Sequence, residues 1–500
     1  MSDEGWKPLL EDLERRVAVA QAMGGAERLA RQRSGGRLDA RQRVAALLDA
    51  GSFREIGALV GGEALPADAF VAGHGSIDGR PVLVGAEDFT VRGGSIGLGT
   101  HAKRVRVASL AGQERAPLVL LLEGGGERAS NAFERYPYAQ SDLQALAALS
   151  GRVPLVAAVM GSSAGHGALA APLADYALMV EGAALFAAGP GLVEAATGER
   201  VDREALGGAR LHGRESGVVH DVVASDAEAL ERVRAYLSYL PSNAWGWPPL
   251  VEGSDTAERR LDAILDAIPA DPRKGYDVRA VIELCADAES ALEIQAGYGT
   301  ALVTVFARLG GEPVAVVANQ PRVRAGAIDR EGADKAARFV ELSDSFHLPL
   351  LFLADTPGVM AGRAAERAGA LRAGARLFAA QSRARGPKLH VTLRKAYGFG
   401  SSIMAMNPFD AQTLVLALPG ASLAAMPAAG AGALLRGGDE EKERGLAFAE
   451  AGPWSAAASM AYDAVIDPRE LRNALLAALR LARGRRCAPA EPVARIGIRP

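Results

Sequence analysis

The chain has 500 residues, 56 of them basic and 59 acidic, for a formal net charge of −3. That length calls for two domains rather than one core, and the near-neutral balance gives no basis for binding nucleic acid or an anionic membrane surface. Two cysteines, Cys285 and Cys487, are too few for a disulfide framework or a thiolate metal site. The expectation is a reduced, cytoplasmic protein without a metal centre.

In chain order, MSDEGWKPLLEDLERR is acidic and amphipathic and lacks the charged and apolar regions of a signal peptide. Residues 8–50 carry apolar positions at helical spacing among arginines and glutamates, which predicts surface helices, one of them opened by Gly36–Arg41. From Arg80 onward the pattern becomes short strand-like runs (PVLVGAEDF, APLVLLLEGG, VPLVAAVMG, ADYALMVEG), each followed by glycine and an alanine-rich helical stretch. The alternation predicts βα units with parallel strands buried on both faces. The most apolar runs, LVLLLEGGG and LPLLFLAD, fall far short of the roughly 20 residues that cross a membrane. Near residues 240–249, LPSNAWGWPP, the periodicity stops, marking a candidate linker.

Beyond it the pattern repeats. Pro81 matches Pro313, Arg92 Arg324, Gly94 Gly326, Ile96 Ile328, Lys103 Lys335, Pro117 Pro349 and Gly126 Gly358, all at an offset of 232. One inserted residue later, Pro154 matches Pro387, Gly165 Gly398 and Gly167 Gly400, at an offset of 233. The chain reads as two copies of one α/β domain.

Within MGSSAGHGALAA, residues Gly161–Gly165 fit G-x-S-x-G, the turn that presents a nucleophilic serine in α/β-hydrolases. Partners for Ser163 would come from later residues, and His212, His220, His347 and His390 are available. The repeat argues otherwise, because the position equivalent to Ser163 is Ala396 while the paired glycines persist. Glycines after a strand, at a helix start, let a ligand approach outward-pointing N–H groups. Such groups form an oxyanion hole. A tight turn and close helix–strand packing is the structural alternative.

Several long stretches resemble the carboxyltransferase (β) subunits of biotin-dependent acyl-CoA carboxylases, the propionyl-CoA and acetyl-CoA carboxylase β family. They include GRLDARQRVAALLDAGSFREIG, AEDFTVRGGSIG, MGSSAGHGALAAPLADYALMVEG, GADKAARFVELSDSFHLPLLFLADTPG and GPKLHVTLRKAYGFGSSIMA. The resemblance implies an α/β fold of two tandem crotonase-like β-β-α superhelix domains. It revises the plain parallel sheet into a spiral and divides the chain at residues 1–246, on the acyl-CoA side, and 247–500, on the biotin side. It further implies that carboxybiotin releases its carboxyl group and that the biotin enolate takes the α-proton of an acyl-CoA. Two oxyanion holes then suffice without a side-chain base.

By position, the family's thioester hole falls on Gly165 and His166 and its biotin hole on Phe399 and Gly400. Gly124, Gly125, Gly126, Gly161, Gly167, Gly398 and Ser402 are the implied substrate-binding neighbours. His166 and Phe399 depart from the small residues common in propionyl-type enzymes, and Ser402 stands where an acidic or apolar residue commonly selects the acyl group. LLEGGGERAS and AMNPFDAQTLVLALPGASLAAMPAAGAGALL also diverge, so the acyl chain is not assigned. For Lys103, Lys335, Arg92 and Arg324 two readings stand: contact with CoA phosphates or the carboxybiotin carboxylate, or a solvated helix face or fold-level ion pair. His166 reads as a lone histidine in a glycine turn rather than a ligand or pH sensor. Asp355 reads as a turn and helix-cap residue. The sequence has no Met-Lys biotinylation dipeptide and no P-loop. The resemblance therefore implies biotin carried by a biotin carboxylase/biotin carboxyl carrier partner, and a hexamer with or without a sister β subunit. Two other readings stand beside it: a biotin-dependent acyl-CoA decarboxylase subunit, and a non-catalytic paralogue.

Overall fold

The computed structural model describes residues 5–131, 141–252, 255, 257–424, 452–486, 490 and 492. Cys487 and the end of the divergent run after Ala424 lie outside the described residues. The chain forms two compact units, the first ending at Ser238 and the second beginning at Tyr239.

In the first unit, helices Lys7–Gln21, Ala26–Ser34 and Ala40–Leu47 precede the sheet. The last of these starts on a capping box: Asp39 accepts from the Gln42 N–H, and the Gln42 side chain accepts from the Asp39 N–H. The sheet comprises β1 (Arg54–Ile56), β2 (Phe70–Ile77), β3 (Arg80–Glu87), β4 (Leu118–Gly124), β5 (Leu155–Ala164), β6 (Tyr176–Val180), β7 (Ala184–Phe186) and β8 (Asp221–Val223). Their order is β1-β2-β3-β4-β5-β6-β8, with β7 beside the end of β5. From β3 onward the pairings are parallel, whereas β1, β2 and β3 pair antiparallel. The parallel expectation thus needs correcting to a mixed sheet. The strand it missed, FVAGHGSI, is broken by glycine, histidine and serine, yet its first four residues are buried. Asp78 and Gly79, both at positive φ (50° and 73°), close the β2–β3 hairpin in the backbone its right-handed twist requires.

The second unit repeats this plan with β9 (Leu292–Ile294), β10 (Leu302–Leu309), β11 (Glu312–Asn319), β12 (Leu350–Thr356), β13 (Lys388–Tyr397), β14 (Gln412–Ala417), β15 (Ser422–Ala424) and β16 (Ala464–Val465). Its order is β9-β10-β11-β12-β13-β14-β16, with β15 beside β13. The hairpin turn becomes Gly310–Gly311, again at positive φ. The duplication extends to irregularities. Pairing slips between Leu122 and Gly124 in one sheet and between Ala354 and Thr356 in the other, and the isolated bridge Ile96–Glu127 recurs as Ile328–Val359. β4 and β12 are buried along their whole length, which explains their apolar openings, Leu118–Leu122 and Leu350–Ala354. Helices Leu98–Gln113 and Arg330–Ser345 cover corresponding positions in the two units. Among the described residues no helix is long and apolar enough to cross a membrane.

Candidate active site

Each sheet ends its central long strand in the same turn. β5 runs extended through Ala164, Gly165 takes φ +58°, and the short helix Gly165–Ala168 begins. β13 runs extended through Tyr397, Gly398 takes φ +54°, and helix Gly398–Ile403 begins. A positive φ at these positions favours glycine over any residue with a Cβ. The N–H groups of each first turn have no partner within their own helix. Those of His166 and Gly167, and of Phe399 and Gly400, fall in that turn.

Around the first turn the glycines divide by role. Gly124 and Gly161 are buried; a Cβ on Gly124 would lie 2.5 Å from the Gly94 carbonyl oxygen, and one on Gly161 2.3 Å from the Glu123 carboxylate. Gly126, also buried and at φ +80°, would place a Cβ 2.7 Å from the Ala164 carbonyl oxygen. These three fit the chain together, while Gly125 is exposed beside the turn. On the second turn, a Cβ at Gly400 would lie 2.7 Å from the Gly358 Cα. Ser402 is half-buried, and its carbonyl accepts from Gln381.

A buried ionic network supports the first turn, and here the sequence reading of His166 is corrected. His166 is not isolated: its Nε2 lies 2.5 Å from Oδ1 of Asp142, a residue with no exposed surface. Asp142 opens the helix Asp142–Ala147, and its Oδ2 accepts from Arg104 Nε at 2.6 Å. Arg104 also donates to Glu87 Oε1 at 3.0 Å, and Glu87 Oε2 accepts from the Glu123 N–H. Glu123 in turn meets Arg43, Arg37 and Gln32, and Arg43 reaches Asp226. A Cβ on Gly167 would lie 3.1 Å from Glu87 Oε1, so the glycine lets the turn rest on the carboxylate. Burial pushes the Asp142 carboxyl up, but His166 and Arg104 outweigh it and hold the group well below the ordinary carboxylate range. Glu87 goes the other way, because burial raises its pKa more than Arg104 lowers it. His101 Nδ1 stands 3.8 Å from the same Asp142 oxygen, and the ligand atoms of His101, Asp142 and His166 lie within 4.8 Å of one another. Neither Asp142 nor His101 was singled out from sequence; the available signal was a histidine on the glycine turn that required an acidic partner elsewhere.

The second turn rests on apolar contacts. Phe399, 44% exposed, packs near the Phe378 ring at 5.7 Å, and Gly374 leaves room for Ile403 and Phe399. Asp355, read as a turn and cap residue, is instead fully buried on β12, paired with Arg394 at 2.8 Å and Lys395 at 3.3 Å. Arg394 also donates to the carbonyls of Pro269, Asp271 and Lys274.

The serine-nucleophile reading fails on geometry. Ser163 is fully buried and its hydroxyl has no hydrogen-bond partner among the described residues. The four histidines considered for it are engaged elsewhere: His212 with Ser216 and the Leu185 carbonyl, His220 with the backbone of Ala177, His347 with the Ala244 carbonyl, and His390 with Met404 and Thr392. Lys103 and Lys335 are buried and donate to carbonyls, of Ala67 and Phe70 in one copy and of Gln295 and Tyr298 in the other. They are structural, which removes the phosphate reading for both and also the solvated-face alternative. Burial lowers the Lys103 pKa to about 8. Arg324 pairs with Asp329 at 2.6 Å, while Arg92 is exposed.

A family model described as the carboxyl transferase domain matches residues 31–494. The chain belongs to the carboxyl transferase family. It is 36% identical to the propionyl-CoA carboxylase carboxyltransferase subunit of Haloferax mediterranei, over 95% of this chain and 96% of that one. It is 35% identical to the methylmalonyl-CoA decarboxylase subunit alpha of Veillonella parvula, with the same coverage of both chains. The crystal structure of a transcarboxylase 12S hexamer, with methylmalonyl-coenzyme A and methylmalonic acid bound, superposes with a TM-score of 0.90, 36% identity and 99% coverage of both chains. The two-sheet α/β architecture is thus that of the two-domain carboxyltransferases, and the chain is an enzyme component of that family.

Proposed function

We propose that this chain transfers a carboxyl group from carboxybiotin to the α-carbon of an acyl-CoA, with the thioester oxygen held by the N–H groups at Gly165 and His166 and the biotin oxygen by those at Phe399 and Gly400. The observation that carries this reading is the recurrence of one turn, strand, left-handed glycine and helix start, in both units. Enolate formation puts negative charge on a carbonyl oxygen, and preorganised N–H donors at a helix start stabilise that charge without reorganising. Gly125, Gly167, Gly398 and Ser402 border the two turns, and Arg92 is an exposed cation available to CoA phosphates.

The residues at the second turn suit biotin. Its ureido oxygen needs N–H donors and no competing anion, and the nearby carboxylate, Asp355, is buried and neutralised by Arg394 and Lys395. Biotin held by the N–H groups at Phe399 and Gly400 would supply the carboxyl group and the acceptor for the α-proton. The sequence has no Met-Lys dipeptide, so biotin comes on a biotin carboxylase/biotin carboxyl carrier partner. A hexamer, with or without a sister β subunit, follows by analogy with the solved 12S hexamer, and a cytoplasmic location belongs to the same proposal. The domain limits at residue 246 and the assignment of the first domain to acyl-CoA and the second to biotin belong to this proposal.

The test is incubation of the purified chain with malonyl-, methylmalonyl- and longer carboxyacyl-CoA thioesters plus free biotin. Biotin-dependent decarboxylation of at least one is expected, and its chain length assigns the acyl group. Turnover of none by an intact oligomer overturns the reading in favour of a non-catalytic paralogue. Similarity to the Veillonella parvula decarboxylase subunit supports a second reading, decarboxylation as the physiological direction. It uses the same two turns.

A further inference from the structure

We propose that His101, Asp142 and His166 form a binding site for one zinc-type divalent ion beside the first glycine turn. The inference goes beyond the carboxyl-transfer reading, which uses the N–H of His166 and gives its imidazole no task.

Four observations carry it. One ligand atom from each of the three side chains lies within 4.8 Å of the other two. The side chains come from separate elements, the helices Leu98–Gln113, Asp142–Ala147 and Gly165–Ala168, and meet at Oδ1 of Asp142, which is 3.8 Å from His101 Nδ1 and 2.5 Å from His166 Nε2. Secondly, the other carboxylate oxygen, Oδ2, is held by Arg104 at 2.6 Å, one helical turn beyond His101, so Oδ1 is aimed at the two rings. A hydrogen-bonded partner of this kind orients a carboxylate that ligates a metal. Thirdly, Asp142 is sealed from solvent while each imidazole is about one quarter exposed, which gives an ion a way in. Fourthly, the duplication does not repeat the set: Ala333 stands in the place of His101 on the helix Arg330–Ser345, and Phe399 in the place of His166. The second unit makes the same turn without these side chains, so the fold does not require them to meet.

The chemistry of the donors selects the ion. Two imidazole nitrogens and one carboxylate oxygen suit zinc and its first-row neighbours, whereas magnesium and calcium take oxygen ligands. Zinc bound tetrahedrally at about 2.1 Å spaces neighbouring ligand atoms by about 3.3 Å. The separations of 3.8 Å and 2.5 Å bracket that value, so His101 closes in by about 0.5 Å and His166 moves out by about 0.8 Å on binding. The ion takes the place of the hydrogen between His166 and Asp142, and its fourth position falls to water. The scarcity of cysteine excludes a thiolate centre; it does not exclude this one, whose ligands are dispersed in sequence.

The test uses the full chain, untagged and stripped with a chelator, titrated with zinc chloride by calorimetry and then studied by X-ray absorption. One zinc per chain is expected, with two imidazole nitrogens in its shell, and magnesium chloride should give no binding. His101→Gln and His166→Gln should each weaken zinc binding by about 10²-fold or more, at or above the cost of losing a partner that only orients a ligand. His212→Gln, whose ring is engaged with Ser216 and the Leu185 carbonyl, should bind as the wild type does. Absence of zinc binding by the wild-type chain, a shell without two imidazoles, equal binding of magnesium, or unchanged affinity in both site variants overturns the site. If a variant fails to fold, the stoichiometry and the absorption shell of the wild type decide. Biotin-dependent decarboxylation by the stripped chain is measured alongside. Turnover without zinc binding overturns the site alone, and zinc binding without turnover of any carboxyacyl-CoA overturns the carboxyl-transfer reading alone.

Discussion

The two units present one backbone turn on two different foundations. At Gly165 the turn sits on charges: His166 on Asp142, Asp142 on Arg104, Arg104 on Glu87, with Gly167 laid against the Glu87 carboxylate. At Gly398 it sits on carbon: Phe399 beside Phe378, Ile403 over Gly374, and Gly400 against the Gly358 backbone. A duplicated fold has kept the backbone donors and changed what lies beneath them. The backbone of the turn is what the two units share, and the contacts beneath it are what differ.

The largest expected effect comes from breaking the charged foundation. Arg104→Met strands Asp142 and Glu87, both essentially without solvent access, and removing one member of a buried ion network costs about 3–5 kcal/mol. Urea unfolding of the first unit, followed by hydrogen exchange of β3 and β5 amides, should show the loss. Unchanged protection there would mean that the network does not support the turn.

Next is a pH effect confined to the second unit. His390 on β13 stands where β5 has Ala157, is fully buried, and has its pKa lowered by burial to about 4. The unfolded imidazole titrates near 6.5, so the unfolded chain binds a proton that the folded one rejects. Stability from this group is complete above pH 6.5 and is lost as pH falls toward 4, by about 3 kcal/mol in all. The thermal midpoint of the second unit should fall over that window, and His390→Gln should flatten the fall. An equal slope in the variant would assign the acid sensitivity to other groups.

Gly400→Ala and Gly167→Ala compare the two foundations directly. The new Cβ at Gly400 meets backbone, the Gly358 Cα at 2.7 Å, whereas that at Gly167 meets a side-chain oxygen at 3.1 Å. Overpacking of this kind costs about 1–3 kcal/mol, and Gly400→Ala should lie at the upper end because backbone yields less than a side chain. Biotin-dependent decarboxylation should fall about 10²-fold in Gly400→Ala, as when an oxyanion-hole donor is lost. Equal melting points for the two variants would deny that the foundations differ in stiffness.

The duplication and the paired glycines were legible because they are local: a fixed offset and a strand-turn-helix pattern need no knowledge of distant contacts. The ionic foundation was not, since Asp142 and His166 are 24 residues apart and Arg104 lies 38 residues before Asp142. Asp355 misled for the same reason. ADTPG has turn-forming residues, yet β12 continues through Thr356, and the carboxylate is committed to Arg394 from the neighbouring strand. β2 escaped notice because its glycines permit close packing: a Cβ on Gly73 would lie 2.2 Å from the Arg54 carbonyl oxygen.

The smallest effect is expected at Ser163. Its hydroxyl is buried without a partner among the described residues, and the equivalent position on β13 is Ala396, equally buried. An unsatisfied buried hydroxyl carries a desolvation penalty of about 1–3 kcal/mol, and replacing it with a methyl group removes that penalty while opening space of only one oxygen atom. Ser163→Ala should therefore shift stability upward by about 1 kcal/mol or less and leave biotin-dependent decarboxylation unchanged. Loss of turnover in a stably folded Ser163→Ala variant would return the nucleophile to this turn. It would also mean that the two turns share a backbone without sharing a mechanism.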